Sequence, residues 1–307
     1  MKKEKVFMAK ISLKEKIRDG LFLLDGAMGT QLITRGIEPG GCNDYLNIDS
    51  PETIFEIHRS YFQAGSDAVL TNTFGANKFA LGRHGFADKA EQINTAGAKI
   101  ARRAAGKEKY VLGDIGPSGD FLKPLGSLDP AQLKDAFVAQ AKALLAGGVD
   151  GFIIETETSI DEATIAVEAV KSVCGNLPVL ISFAFDKVAD GFRTMMGVDV
   201  ESAVKKMVSL GVDAVGFNCG TTTLNEYVEL AKKFVSTVNT SGKKILVFAE
   251  PNAGKPELVD GRAVYKVTPE DFATTAEKIH SAGVNIIGGC CGTGPEHIKT
   301  MAEKVKR

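Results

Sequence analysis

A chain of 307 residues that is 44% hydrophobic can bury one large core or two smaller ones, and its 37 Lys and Arg nearly cancel its 38 Asp and Glu. A formal net charge of −1 provides no basic field for nucleic acid or an anionic membrane, so a small-molecule partner is expected. Five cysteines are an odd number for a disulfide framework, and "MKKEKVFMAK" at the N-terminus has too short an apolar run for a signal peptide; with no later span of 18 apolar residues, a cytoplasmic protein is expected.

Ser12 and Glu15 in "SLKE" have the spacing of a capping box and predict a leading helix that closes the bottom of the fold. After it the chain repeats one unit: an aliphatic run, a polar or glycine-containing turn, then a stretch with helical spacing. The runs are "LFLLD" (21–25), "AVLTNT" (68–73), "YVLGDI" (110–115), "GFIIET" (151–156), "PVLISFAF" (178–185), "AVGFNCG" (214–220), "KILVFAEPN" (244–252) and "VNIIGGC" (284–290). Helical candidates between them include 51–64, 130–146, 161–173, 200–210 and 269–282, several with Pro or an acid in the first turn. Near-continuous apolar strands, each followed by a helix, predict a parallel sheet covered on its faces. Eight such units predict a (β/α)8 TIM barrel of the α/β class. It is a single domain over 1–307 with a short N-terminal helical extension, although an open doubly wound sheet can carry much the same signals.

In such a barrel the chemistry sits at the C-terminal ends of the strands. The unusual residues collect there: Asp25, Thr71 to Thr73, Asp114, Glu155 and Glu157, Asn218 and Cys219, Glu250 and Asn252, then Cys290 and Cys291. Neighbouring residues of a regular strand face opposite ways, so Cys290 and Cys291 reach one point only where the chain leaves strand geometry. Gly288, Gly289 and Gly292 permit that departure. Cys219 ends the sixth strand, and at about 4.8 Å per strand its sulfur can meet the other two over the seventh. Three thiolates suit zinc with one place left for a substrate thiol, whose pKa the ion would lower to give a nucleophilic thiolate. The same residues also read as small apolar packing at a strand end, or as a strained vicinal disulfide.

Other residues carry two readings each. Glu155 is either a buried structural carboxylate or the partner of a substrate ammonium. Asp25 in "DGAMGT" either caps its turn or, with the N–H groups of Gly26 and Ala27, lies where a substrate carboxylate binds. Asn252 lies between the cysteine-bearing strands, and its amide oxygen is a candidate stand-in ligand when no thiol is bound. His297 could close the metal site, but "PEHIKT" reads as a helix start that aims it away. Cys42 and Cys174 lack partners and read as structural, and His58, His84 and His280 as packing or surface residues. Glycine-rich turns after the last two strands also suit a phosphate-binding barrel, which has no use for three cysteines.

Taken together, "LLDGAMGT", "TNTFGAN", "GDIGPSG", "IIET", "VGFNCG", "EPNAGKP" and "GGCCGTGPEHI", in order from residue 23 to 298, resemble the homocysteine S-methyltransferase family. With "VYKVTPEDFA" after the "PNAGKP" loop, the chain is most similar to the N-terminal homocysteine-binding module of cobalamin-dependent methionine synthase. The resemblance implies zinc on Cys219, Cys290 and Cys291 with the homocysteine sulfur as fourth ligand. It implies Glu155 on the substrate ammonium, Asp25 and Gly26 at the amino-acid head, and Asn252 near the metal. No catalytic side chain is needed beyond the metal site. The methyl group is expected from a methylcorrinoid: the chain has no D-x-H-x-x-G corrinoid signature, so it is expected to be a module of a longer enzyme, or a subunit that meets a separate corrinoid protein. Two departures, "NCGTTT" and the second acid in "ETETSIDEA", border the expected pocket. They keep open another donor, S-methylmethionine or a betaine-like compound, another thiol, or a zinc- and thiol-binding protein without turnover.

Overall fold

Alternate residues of each apolar run go to two different cores, which is why the runs lack polar alternation. Phe22, Leu112, Ile153, Leu180, Phe248 and Ile286 lie in one buried cluster. Their strand neighbours Leu23, Val111, Ile154, Ile181, Val247 and Ile287 belong to a second, larger one shared with the helices. The first cluster fills a barrel and the second packs its outer wall.

The computed structural model describes residues 10–259 and 262–306, so all but the last residue of the N-terminal "MKKEKVFMAK" lies outside the described residues. The barrel strands are β1 (Phe22–Leu23), β2 (Ala68–Leu70), β3 (Tyr110–Ile115), β4 (Gly151–Glu157), β5 (Val179–Phe183), β6 (Ala214–Asn218), β7 (Leu246–Glu250) and β8 (Ile286–Ile287). They form one parallel eight-stranded sheet in the order β1-β8-β7-β6-β5-β4-β3-β2. The outer helices are α1 (Pro51–Ala64), α2 (Ala90–Ala105), α3 (Pro130–Gly147), α4 (Ile160–Lys171), α5 (Val200–Leu210), α6 (Leu224–Thr240), α7 (Pro269–Ser281) and α8 (Pro295–Val305). Proline opens α1, α3, α7 and α8, where its missing N–H costs nothing, and side-chain caps from Asp129, Ser159, Asp199, Thr223 and Thr268 start five of the eight.

The barrel is nearly closed. Between β1 and β2 no regular ladder forms, and one backbone hydrogen bond with two aspartate side chains bridges the seam instead. The Asp67 N–H donates to the Leu23 carbonyl (2.7 Å), the Leu23 N–H donates to the Asp67 carboxylate (2.9 Å), and the Leu70 N–H donates to both Asp25 oxygens (3.2 Å each). At the other end, the capping box of Ser12 and Glu15 starts the helix Leu13–Lys16. Leu13 and Ile17 from this segment join the inner cluster and plug the bottom as expected.

The apolar runs overshoot the strands chiefly at their C-terminal ends. Asp25, Thr71 to Thr73, Cys219, Asn252 and both vicinal cysteines lie past the last paired residue, in loops. Two short hairpins, Asp186–Val188 with Gly191–Arg193 and Glu257–Val259 with Arg262–Val264, follow β5 and β7 and were not foreseen. Among the described residues no helix is long and apolar enough to cross a membrane.

Candidate active site

The sulfurs of Cys219, Cys290 and Cys291 lie within 4.8 Å of one another. All five cysteines are free, and the Cys290 and Cys291 sulfurs stand 4.0 Å apart, so there is no vicinal disulfide. Zinc–sulfur bonds of about 2.3 Å at tetrahedral angles put sulfurs about 3.8 Å apart, close to this spacing. The donor set therefore fits zinc.

Two local devices bring the sulfurs together. Cys219 has a φ of 53°, and this left-handed turn at the end of β6 swings its side chain out of strand alternation. The Tyr227 hydroxyl donates to its carbonyl (2.6 Å) and holds it there. After β8, the Cys290 N–H donates to the Pro251 carbonyl and the Ala253 N–H to the Cys291 carbonyl (2.9 Å each), tying the cysteine loop to the loop after β7. The Thr293 hydroxyl donates to the Cys290 carbonyl (2.6 Å) and accepts from the Ala27 N–H (3.2 Å). Of the three glycines expected to loosen this turn, only Gly292 takes a positive φ, 82°. Gly289 is required by crowding, since a Cβ there would sit 2.6 Å from the Thr293 hydroxyl.

Asn218, just before Cys219, is the hub of the site. Its Oδ1 accepts from the Thr156 N–H and the Ser182 hydroxyl (2.9 Å each), and its Nδ2 donates to Glu155 Oε2 (3.0 Å) and Thr156 Oγ1 (2.7 Å). Thr156 has a φ of 65°, rare for a β-branched residue, and the β4–β5 register shifts between Ile154 and Glu157. This bulge corrects one expectation. In a regular strand Glu157 would share the Glu155 face; here Glu155 lines the cavity and Glu157 is fully buried away from it, its pKa pushed well up by burial and then by the charge of Glu162.

The cavity, about 480 Å3, opens at the C-terminal ends of the strands, and Asp25, Asp114, Glu155, Glu250 and the three cysteines line it. No lysine or arginine is among its lining residues. These carboxyl groups, with Asp44 also in the lining, disfavour one another's charge. Burial, then the Cys219 sulfur, pushes Glu155 up to about 7. Burial, then Glu155, raises Asp114 and Glu250 well above the ordinary range. Asp25 is also raised by burial, although the Leu70 N–H pulls it back.

A family model described as homocysteine S-methyltransferase matches residues 22–305. The chain belongs to the homocysteine S-methyltransferase family. It is 36% identical over 302 residues to methionine synthase of Mycobacterium tuberculosis, covering 92% of this chain and 24% of that protein. Against methionine synthase of Mycobacterium leprae the identity is 34% over 316 residues, 96% of this chain and 25% of the relative. The chain thus spans about a quarter of the length of these relatives. Among solved structures, the metallated homocysteine methyltransferase MmuM from Escherichia coli superposes with a TM-score of 0.74 at 20% identity, covering 92% of this chain and 96% of that one. A methyltransferase from Methanosarcina mazei superposes at 0.60 and 12% identity, covering 94% of each chain. At such identities these two matches speak for the fold.

Most residues expected at the methyltransferase site meet in the one cavity, including Asp25, Gly26 and Glu155, while Asn252 is packed beside Cys219. The Ala27 N–H, expected to be open to a carboxylate, is engaged by Thr293. His297 faces away from the cysteines, its Nε2 against the Val267 carbonyl (3.0 Å) and its Nδ1 accepting from the Gly294 N–H (3.3 Å). His58 is a packing residue, fully buried, with neither ring nitrogen hydrogen-bonded. Cys42 and exposed His84 line the cavity's outer part, and Cys174 is buried apart from it. Tyr227 and Thr293 were missed; nothing in their local sequence marks them, because Tyr227 reaches Cys219 only through the left-handed turn there and Thr293 joins the cysteine loop to Ala27 near the other end of the chain.

Proposed function

We propose that this chain binds zinc through Cys219, Cys290 and Cys291 and methylates homocysteine to methionine, the methyl group coming from a methylcorrinoid on a separate module or protein. The observation that carries the reading is the convergence of three sulfurs on the wall of a cavity that Glu155 also lines. Bound there, zinc would act as a Lewis acid that lowers the pKa of a substrate thiol and presents it as a thiolate.

The chain's own residues bind and orient. Glu155, fixed by Asn218, accepts from the substrate ammonium; the loop of Asp25 and Gly26 places the rest of the amino-acid head. Asn252 is 1% exposed, with Nδ2 on the Gly220 carbonyl (2.8 Å) and an Oδ1 that has no partner. That orphan oxygen, on an amide whose Nδ2 lies 3.9 Å from the Cys219 sulfur, supports Asn252 as the displaceable fourth ligand once the amide is turned. The corrinoid reading is supported by the two methionine synthase relatives, of which this chain matches about a quarter.

The test is methionine formation from homocysteine by the zinc-loaded protein, supplied separately with methylcobalamin, a methylated corrinoid protein and S-methylmethionine. Turnover is expected with the corrinoid donors and lost in Cys219→Ala, Cys290→Ala and Cys291→Ala. Turnover with S-methylmethionine alone replaces the donor, and turnover with none leaves a binding protein. For Asn252, zinc-edge absorption of the substrate-free protein should show three sulfurs and one light protein ligand that Asn252→Ala removes. Four sulfurs, or a water ligand in the wild type, refute its role.

A further inference from the structure

An ammonium group carries three N–H donors, and each that gives up water on binding needs an acceptor. Glu155 supplies one, because the Asn218 amide takes only its Oε2. The structure holds two more acceptors that neither the fold nor the metal uses. Asp114 Oδ1 and Glu250 Oε2 are buried and have no hydrogen-bond partner, in residues only 5% and 2% exposed. Both line the same cavity as Glu155.

Their placement is built. Asp114 pairs with Ile153 across β3 and β4, so its side chain shares the inner face with Glu155 two residues further on, and the two carboxyls are within hydrogen-bonding reach. Thr71 and Thr73 grip the Asp114 backbone on both sides: the Thr71 hydroxyl accepts from its N–H (2.9 Å) and the Thr73 hydroxyl donates to its carbonyl (2.7 Å). Glu250 ends β7 opposite Asn218. Asp25 does not share this role, since both of its oxygens serve the barrel seam.

Leaving buried carboxyl oxygens unpaired is costly, and the cavity lining holds no lysine or arginine to relieve it, its one histidine, His84, being exposed at the outer part. A substrate ammonium can supply the compensating charge. We infer that Asp114 and Glu250 complete, with Glu155, a three-carboxyl socket for a primary ammonium, so that the acceptor thiol is selected by its free amine. The inference rests on the proposed reading of this cavity as the homocysteine site and extends it to two residues that set specificity.

Isothermal titration of the zinc-loaded protein with L-homocysteine, with 4-mercaptobutanoate, which is the same thiol acid without the amine, and with N-acetylhomocysteine tests it. The wild type is expected to prefer homocysteine over both analogues. Asp114→Asn and Glu250→Gln should each weaken homocysteine about tenfold or more, the worth of one charge-assisted hydrogen bond, and change 4-mercaptobutanoate less than about twofold. Variants that bind homocysteine as the wild type does, or that lose both thiols equally, overturn the socket while leaving the homocysteine reading intact. Wild-type protein that takes N-acetylhomocysteine as tightly as homocysteine overturns it without any variant. If the wild type binds no thiol at all, the proposed function fails, and the socket with it.

Discussion

Replacing Asn218 by Ala tests the link between backbone strain and substrate binding. The side chain is 1% exposed and makes four hydrogen bonds of 2.7–3.0 Å, to Thr156 twice, Ser182 and Glu155. Thr156 and Glu155 line the cavity, so water can replace the amide for them at little cost. Ser182 is fully buried and cannot be rehydrated, which costs about 1–3 kcal/mol, and the lost hydrogen bonds add about 1 kcal/mol each. Thr156 at φ 65° stores about 1–3 kcal/mol of strain that the variant is free to release, so the gains and losses partly cancel. A net destabilisation of about 2 kcal/mol is expected from urea unfolding of the zinc-loaded protein, a sizeable part of the roughly 5–15 kcal/mol typical of a domain. Glu155 loses its donor at the same time, so homocysteine affinity should fall about tenfold with one zinc still bound. Stability within about 0.5 kcal/mol of the wild type, together with unchanged homocysteine affinity, refutes the reasoning.

Further outcomes follow from single side chains. Cys219→Ala, Cys290→Ala and Cys291→Ala should each lower the zinc content of the purified protein, read by atomic absorption; a full complement in any one removes that residue from the ligand set. Glu155→Ala should weaken homocysteine about tenfold to a hundredfold by calorimetry and keep its zinc, and unchanged affinity contradicts the ammonium contact. His58 is held neutral by burial, its pKa lowered from 6.5 to about 3. Its contribution to stability is therefore complete above pH 6.5 and lost as pH falls toward 3, at about 1.4 kcal/mol per unit. Relative to the wild type, His58→Leu should gain about 2 kcal/mol between pH 7.5 and pH 5 in urea titrations, and parallel pH profiles count against it.

The barrel was legible because its signals are local. The ends of α1 and α5 coincide with the sequence reading, because Gly65 and Gly211 end them in left-handed turns at φ 109° and 69°. The run 110–115 is β3 unchanged, whereas β1 and β8 shrink to two residues each because the chain must leave the ladder to form the site. The three cysteines stood out because thiols are scarce and their strand ends converge in any closed eight-stranded barrel. The direction of Glu157 was not legible, since it depends on the bulge at Thr156. That bulge is held by Asn218 from two strands away, a contact no window of sequence contains.

Asp25 shows what a shared side chain does to the interpretation of variants. One carboxylate both lines the cavity and laces the first stave of the barrel to the second through the Leu70 amide. Weakened catalysis after a change at Asp25 therefore mixes a missing contact with a loosened wall. Amide exchange at Leu70 separates the two, because it speeds up only when the lacing gives way.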